Sequence, residues 1–164
     1  MSGRAWIFKD NVSTDEICPG RYVSLRSNLP ELAKHTLEDA RKEFPTEVKL
    51  GDYVVAGRNF GMGSSREHAP IIIKMCGVKA VLAQSFARIF YRNAINIGLP
   101  AIICDTTKIS EGDQLDLNIA EGTVFDNTKG VALTFPKMSK TMEAILEEGG
   151  LIPYIEKHGD LLLA

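Results

Sequence analysis

Cysteine is scarce in this chain of 164 residues: Cys18, Cys76 and Cys104 stand far apart, with no C-x-x-C pair. An odd, scattered set argues against a disulfide framework and fits reduced thiols. A self-contained iron–sulfur or zinc site takes about four ligands, so no metal site is expected in this chain. Long apolar runs are missing too. Ile71–Ile73 and Leu161–Leu163 are typical, far below the ~20 residues of a membrane helix. The opening Met1-Ser2-Gly3-Arg4 lacks a signal-peptide core, so a cytoplasmic protein with no membrane contact is expected. Charge of one sign is not in excess. A net charge of −2 gives no reason to expect nucleic acid as a partner. There is no repeat and no low-complexity linker, which leaves residues 1–164 as one domain.

What is present is a globular composition. Hydrophobic residues make up 45% and charged residues 24%, enough for a real core. Ala5–Phe8 reads as a first strand. Asp10–Tyr22 is polar and turn-rich. Asn28 and Pro30 suit a helix start, and the pattern predicts a helix from Leu29 to about Lys42. Tyr53–Ala56, Ala80–Ala83 and Ala101–Cys104 read as short buried strands, with helices predicted over Ile71–Cys76 and Ser85–Asn96 between them. Strand–helix–strand–helix–strand predicts βαβ units and parallel pairing. Leu115–Ile119 then alternates with period two. Thr123–Phe125 and Val131–Phe135 follow, around an Asp126–Gly130 turn, which predicts a small antiparallel β unit. Helices over Met138–Leu146 and Leu151–Lys157 close the chain. The expected class is α/β: a mixed β-sheet core with βαβ units, flanking helices and an added antiparallel unit.

The densest chemistry lies in Gly57-Arg58-Asn59-Phe60-Gly61-Met62-Gly63-Ser64-Ser65-Arg66-Glu67-His68. Glycines permit a tight turn and a close backbone approach. A helix start beyond Ser64 and Ser65 would offer free N–H groups to an anion. Arg66 adds a planar donor fork for a carboxylate or phosphate. Known loops fit poorly. A dinucleotide fingerprint would need glycine where Arg66 stands, a Walker loop would need lysine, and G-x-S-x-G is absent. What remains is an anion site with two hydroxyls, or else a serine that only caps a helix.

Two further groups could join it. Asp10–Ile17 packs carboxylates and hydroxyls together, among them Thr14 and Asp15, which could reach the same cleft or simply bond their own loop. Arg88 and Arg92 are four apart on a helix face and could meet an anion or water. Asn93 and Asn96 are poor interior helix residues, which hints at a cap or a buried polar role. His35, His68 and His158 are isolated, and His68 sits where it could support the elbow.

Gly61–His68, with Ser13-Thr14-Asp15 upstream and Phe86-Ala87-Arg88-Ile89 downstream, resembles the swivelling domain of the aconitase superfamily. Chain length, Gly57–Phe60 and Tyr91–Asn96 are most similar to its separate small subunits of the isopropylmalate dehydratase type. The resemblance spans roughly residues 4–156. It implies a partner: a large subunit carrying a [4Fe–4S] cluster, in a hetero-oligomer acting on small hydroxy-dicarboxylic acids. It implies dehydration followed by rehydration, with the hydroxyl moved to the neighbouring carbon. By position, Ser64 matches the catalytic base. Ser65 and Arg66 match carboxylate contacts, and Thr14 and Asp15 match cleft residues, Asp15 organising proton transfer or an arginine. In the resembling family the loop here occupied by Gly20–Asn28 is associated with substrate choice. Val23 and Leu25 suit a branched alkyl group as in isopropylmalate. Arg26 suits a third carboxylate as in homoaconitate, and dimethylmalate or methylcitrate-type acids are alternatives. A rival of another class is a non-catalytic, carboxylate-binding regulatory module.

Overall fold

In a computed structural model the chain is described from residue 2 to residue 159; the apolar run Leu161–Leu163 lies outside. Strand β1 (Gly3–Ile7) is central. Helix α1 (Thr14–Ile17), a 3-10 helix (Gly20–Ser27), α2 (Leu29–Ala33) and α3 (Phe44–Glu47) lead to β2 (Tyr53–Val55). Then follow α4 (His68–Met75), β3 (Ala80–Ala83), α5 (Arg88–Asn96) and β4 (Ala101–Ile103). The meander β5 (Gln114–Asn118), β6 (Thr123–Asp126) and β7 (Val131–Thr134) precedes α6 (Lys140–Glu147) and α7 (Leu151–His158).

All seven strands form one sheet in the order β4-β3-β2-β1-β5-β6-β7. β1 to β4 pair in parallel, with Trp6 opposite Val54, Val54 opposite Val81 and Leu82 opposite Ile102. β1 meets β5 antiparallel, and the meander continues so. The βαβ expectation and the separate antiparallel unit both hold. Every residue of β2 and β3 is buried, the mark of parallel strands covered on both faces. One face carries Trp6, Phe44, Phe60, Ile72 and Phe90 under the helices. On the other, Ala5, Tyr53, Val55 and Leu82 pack with Leu115, Val124, Leu133 and Phe135. The sheet therefore curls, so that its antiparallel half covers the underside of its parallel half. The Leu117 N–H donates to the buried Tyr53 Oη across that curl at 3.0 Å. No helix among the described residues is long and apolar enough to cross a membrane.

The helix predicted from Leu29 to Lys42 stops at Ala33. Leu37 takes φ 57°, is fully buried, and donates its N–H to Ile17 O at 3.0 Å. The left-handed backbone costs about 1–2 kcal/mol. Burial of a leucine side chain contributes about 1.5–3 kcal/mol. Core packing thus overrides the helical pattern, and Thr36 Oγ1 satisfies the Ala33 carbonyl at 2.7 Å where the helix breaks.

The meander is fastened by a buried acid pair. Asp113 and Asp126 are 4% and 0% exposed, and each carboxyl shifts the titration of the other. Asp126 Oδ2 is buried with no hydrogen-bond partner among the described residues, while Oδ1 accepts from the Lys129 N–H at 3.1 Å. Lys129 Nζ sits 3.1 Å from Asp113 and also donates to Lys108 O and Ser110 Oγ at 2.7 and 2.8 Å. Burial, then the bond to Asp113, pushes the Asp126 carboxyl above its ordinary value. Burial opposes ionisation of Asp113 too, but the bonds from Asp126, the Ser110 N–H and Lys129 hold it below the usual range. A raised folded pKa stabilises below the unfolded value, and that stability is lost as pH rises through the folded one. Asp126 thus costs the fold stability as pH rises from the ordinary carboxylate value through its raised one. Asn at 126 stays neutral at every pH, so Asp126→Asn should flatten the Tm–pH profile over the rise just above the ordinary carboxylate range. Parallel profiles for the two proteins would contradict a raised Asp126.

Candidate active site

The site is built where β1, β2 and β3 end. After β2 the chain passes Gly57, where a Cβ would lie 1.7 Å from Asp10 Oδ1, so glycine is required. It then runs as an irregular strand between two others. Asn11 N–H donates to Arg58 O, Gly61 N–H to Val12 O, and Thr14 N–H to Met62 O, each at 2.8 Å. On the other side Phe60 N–H donates to Ser85 O at 3.1 Å and Ala87 N–H to Phe60 O at 2.9 Å. Parallel bridges join Ser13 to Met62 and Phe60 to Phe86. Gly61 has φ 85°, and a Cβ there would fall 2.3 Å from Phe90 Cγ. Its freedom therefore serves close contact with α5 as well as the turn.

This lacing brings the separate motifs together. Thr14, 3% exposed, donates Oγ1 to Ser64 O at 2.8 Å and lies 3.3 Å from Ser64 Oγ. Arg66 Nη1 donates to Asp15 Oδ1 at 3.0 Å and to the Cys18 carbonyl. Asp15 also accepts from the Gly20 N–H at 3.0 Å. The Asp15 side chain is 66% exposed, so this ion pair adds little stability. Its effect is to aim the guanidinium. Ser64 and Ser65 are exposed, and Arg66 is half-buried. A cavity of about 210 Å³ joins Thr14, Ser64, Ser65 and Arg66 to Arg88, Ile89 and Asn93. A larger groove of about 760 Å³ lies elsewhere, between Leu50, Lys74, Pro100 and Leu146, and includes none of these groups.

The helix that meets the cavity is not the expected one. α4 begins at His68, after Glu67 in helical backbone geometry and with no side-chain cap. Ser64 and Ser65 stand before it and cap nothing. α5 supplies the helix end instead. Its N-cap is Ala87, which offers no side-chain acceptor. The first bond onto Ala87 O comes from Tyr91 N–H, so the N–H groups of Arg88, Ile89 and Phe90 precede the helical ladder. The sequence hides this, because Ser85 looks like the cap. In the structure Ser85 Oγ accepts from the Asn59 N–H at 2.8 Å.

Arg26 is not brought to this cavity. It lies exposed on the 3-10 helix, as does Val23, while Leu25 packs on the core. The segment is clasped from its start: Arg21 pairs with Asp39 at 2.7 Å and Glu38 at 2.8 Å, and Tyr22 stacks on His35. Arg92 is exposed away from the cavity lining. The thiols do not converge either. Cys18 is buried beside Arg66, Cys76 ends α4 with its thiol toward Ala33 O, and Cys104 follows β4, pushed up to about 12 by burial. No group of three or more His, Cys, Asp or Glu side chains suited to a metal occurs among the described residues. These residues do not fit an iron–sulfur cluster.

Comparison with known proteins shows the family and the fold. Residues 7–106 match the family described as Aconitase C-terminal domain. The 3-isopropylmalate dehydratase small subunit 2 of Archaeoglobus fulgidus is 56% identical over 161 residues, covering 98% of each chain. The isopropylmalate/citramalate isomerase small subunit of Methanocaldococcus jannaschii is 48% identical over 159 residues, 96% of this chain and 94% of that one. A crystal structure of a 3-isopropylmalate dehydratase from the same organism superposes with a TM-score of 0.90 at 46% identity, covering 96% of this chain and 94% of that chain.

Proposed function

Because the chain belongs to the aconitase C-terminal domain family, and within it to the small subunits of 3-isopropylmalate dehydratase, we propose that it completes the active site of a hydro-lyase formed with a large subunit. The reaction is the dehydration and rehydration of a hydroxy-dicarboxylic acid, 2-isopropylmalate to 3-isopropylmalate. The observation that carries this reading is the convergence of Ser64, Thr14 and Arg66 on one cavity, with Ser64 free of any capping duty.

Each residue has a part that its geometry can perform. Arg66 takes a substrate carboxylate; Nη1 is anchored on Asp15 and Cys18 O, and the residue lines the cavity beside Ser64 and Ser65. Ser65 adds its hydroxyl to that carboxylate. Ser64 Oγ takes the proton from the carbon beside the carboxylate and later returns it. A serine alkoxide is costly to form, and it needs preorganised donors. Thr14 Oγ1 is a hydroxyl 3.3 Å away, and the first turn of α5, the positive end of its dipole, lines the same cavity. The iron–sulfur cluster such enzymes use would be the partner's, and no step here runs through it.

The branched alkyl group calls for an apolar wall; Ile89 and Phe90 line this cavity, whereas Val23 and Leu25, like Arg26, lie outside it. Reconstitution with the large subunit and a comparison of 2-isopropylmalate, homoaconitate and citrate tests the assignment. The highest kcat/KM is expected for 2-isopropylmalate. Preference for a tricarboxylic acid would move the assignment to a homoaconitase-type enzyme. Carboxylate binding without turnover of any of them would leave a regulatory module.

A further inference from the structure

α5 is an amphipathic helix whose Phe90, Ala94 and Ile95 are buried. Phe90 packs so closely on Gly61 that a single added carbon would collide with it. The wall that α5 presents to Ser64 is therefore set by a rigid contact. Asn93 follows Ile89 by four residues and Phe90 by three, so all three share one side of the helix, and all three line the cavity with Ser64 and Arg66.

Asn93 has no structural occupation. Its backbone carbonyl accepts from the Ile97 N–H at 3.1 Å, but its side-chain amide makes no hydrogen bond to any described residue. Asparagine is a poor interior helix residue, because its amide competes for backbone groups. Here it does not do so. A half-buried amide with two donors and two acceptor lone pairs, held at a disfavoured position, faces a cavity built for an anion. Arg66, held by Asp15, lines the same cavity, and a dicarboxylic acid brings a second anionic group.

We propose that Asn93 is a substrate-contacting residue, its side-chain NH2 donating to the carboxylate that Arg66 does not take. This deepens the dehydratase reading and rests on it. Arg88 lines the same cavity, so the neutral amide adds direction beside a charge rather than supplying the charge itself.

The test uses the reconstituted complex with 2-isopropylmalate. Losing a hydrogen bond to a charged group lowers kcat/KM on the order of ten- to a hundredfold, and Asn93→Ala should do so mainly through KM. Tm of the variant should not fall, because the amide supports nothing within the chain. Asn93→Asp keeps the shape but opposes a carboxylate. Its loss should exceed that of Asn93→Ala at neutral pH and shrink as pH falls and the new carboxyl is protonated. A purely structural asparagine would give no such pH-dependent recovery. Wild-type activity together with Asn93→Ala within twofold of wild type would overturn the proposal alone, as would an Asn93→Asp deficit independent of pH. An inactive wild-type complex would instead remove the dehydratase reading, and this contact with it.

Discussion

Replacing Ser64 by alanine should lower kcat of the reconstituted complex by about 10²–10⁴-fold, the usual range for removing a general base, with KM little changed. The substitution is clean. The Thr14 bond to the residue-64 carbonyl is a backbone contact and survives, so the turn keeps its course. The capping function that alanine would destroy is absent, since α4 begins at His68. Co-elution with the large subunit should therefore be unchanged. Steady-state kinetics within tenfold of wild type would sink Ser64 as the base.

The second large effect is expected at Arg66. Removing one partner of a desolvated, hydrogen-bonded charge pair costs about 2–5 kcal/mol, which for Arg66→Gln means a loss in kcat/KM of roughly thirtyfold to several thousandfold, carried mainly by KM. Arg66→Lys keeps the charge but loses the planar fork and the paired hold on Asp15 and Cys18 O, so it should recover only part. Asp15→Asn should cost far less than Arg66→Gln, because the ion pair is water-exposed and serves to aim the guanidinium. Equal losses for the two variants would mean that Asp15 acts on the substrate itself.

The parallel half of the sheet was readable because β2, β3 and β4 are short, wholly apolar and separated by glycine. Its curl was not, since nothing local in Tyr53 or Leu133 says that they meet the same core. The long helix after Asn28 failed at Leu37, where burial bends the backbone against its local preference. The site's residue types were legible, and so was their convergence in part: Thr14, Asp15, Ser64 and Arg66 do meet. The electrostatics were assigned to the wrong helix. Gly63-Ser64-Ser65 reads as a cap for α4, but both helices start without a side-chain cap, and it is the first turn of α5, behind Ala87, that lines the cavity. Arg26 was legible only as a charge in the right segment, and it sits outside the cavity.

The backbone lacing of residues 11–14, 58–62 and 85–87 has a mechanical consequence. Ser64, Arg66 and the first turn of α5 are mounted on one welded bracket rather than on three independent loops. Docking against another subunit can translate or tilt that bracket, but it cannot spread its jaws. Errors of alignment between two subunits then reduce to six rigid-body coordinates, and surface substitutions remote from the cavity can detune turnover by shifting the seat while every distance inside the bracket stays the same.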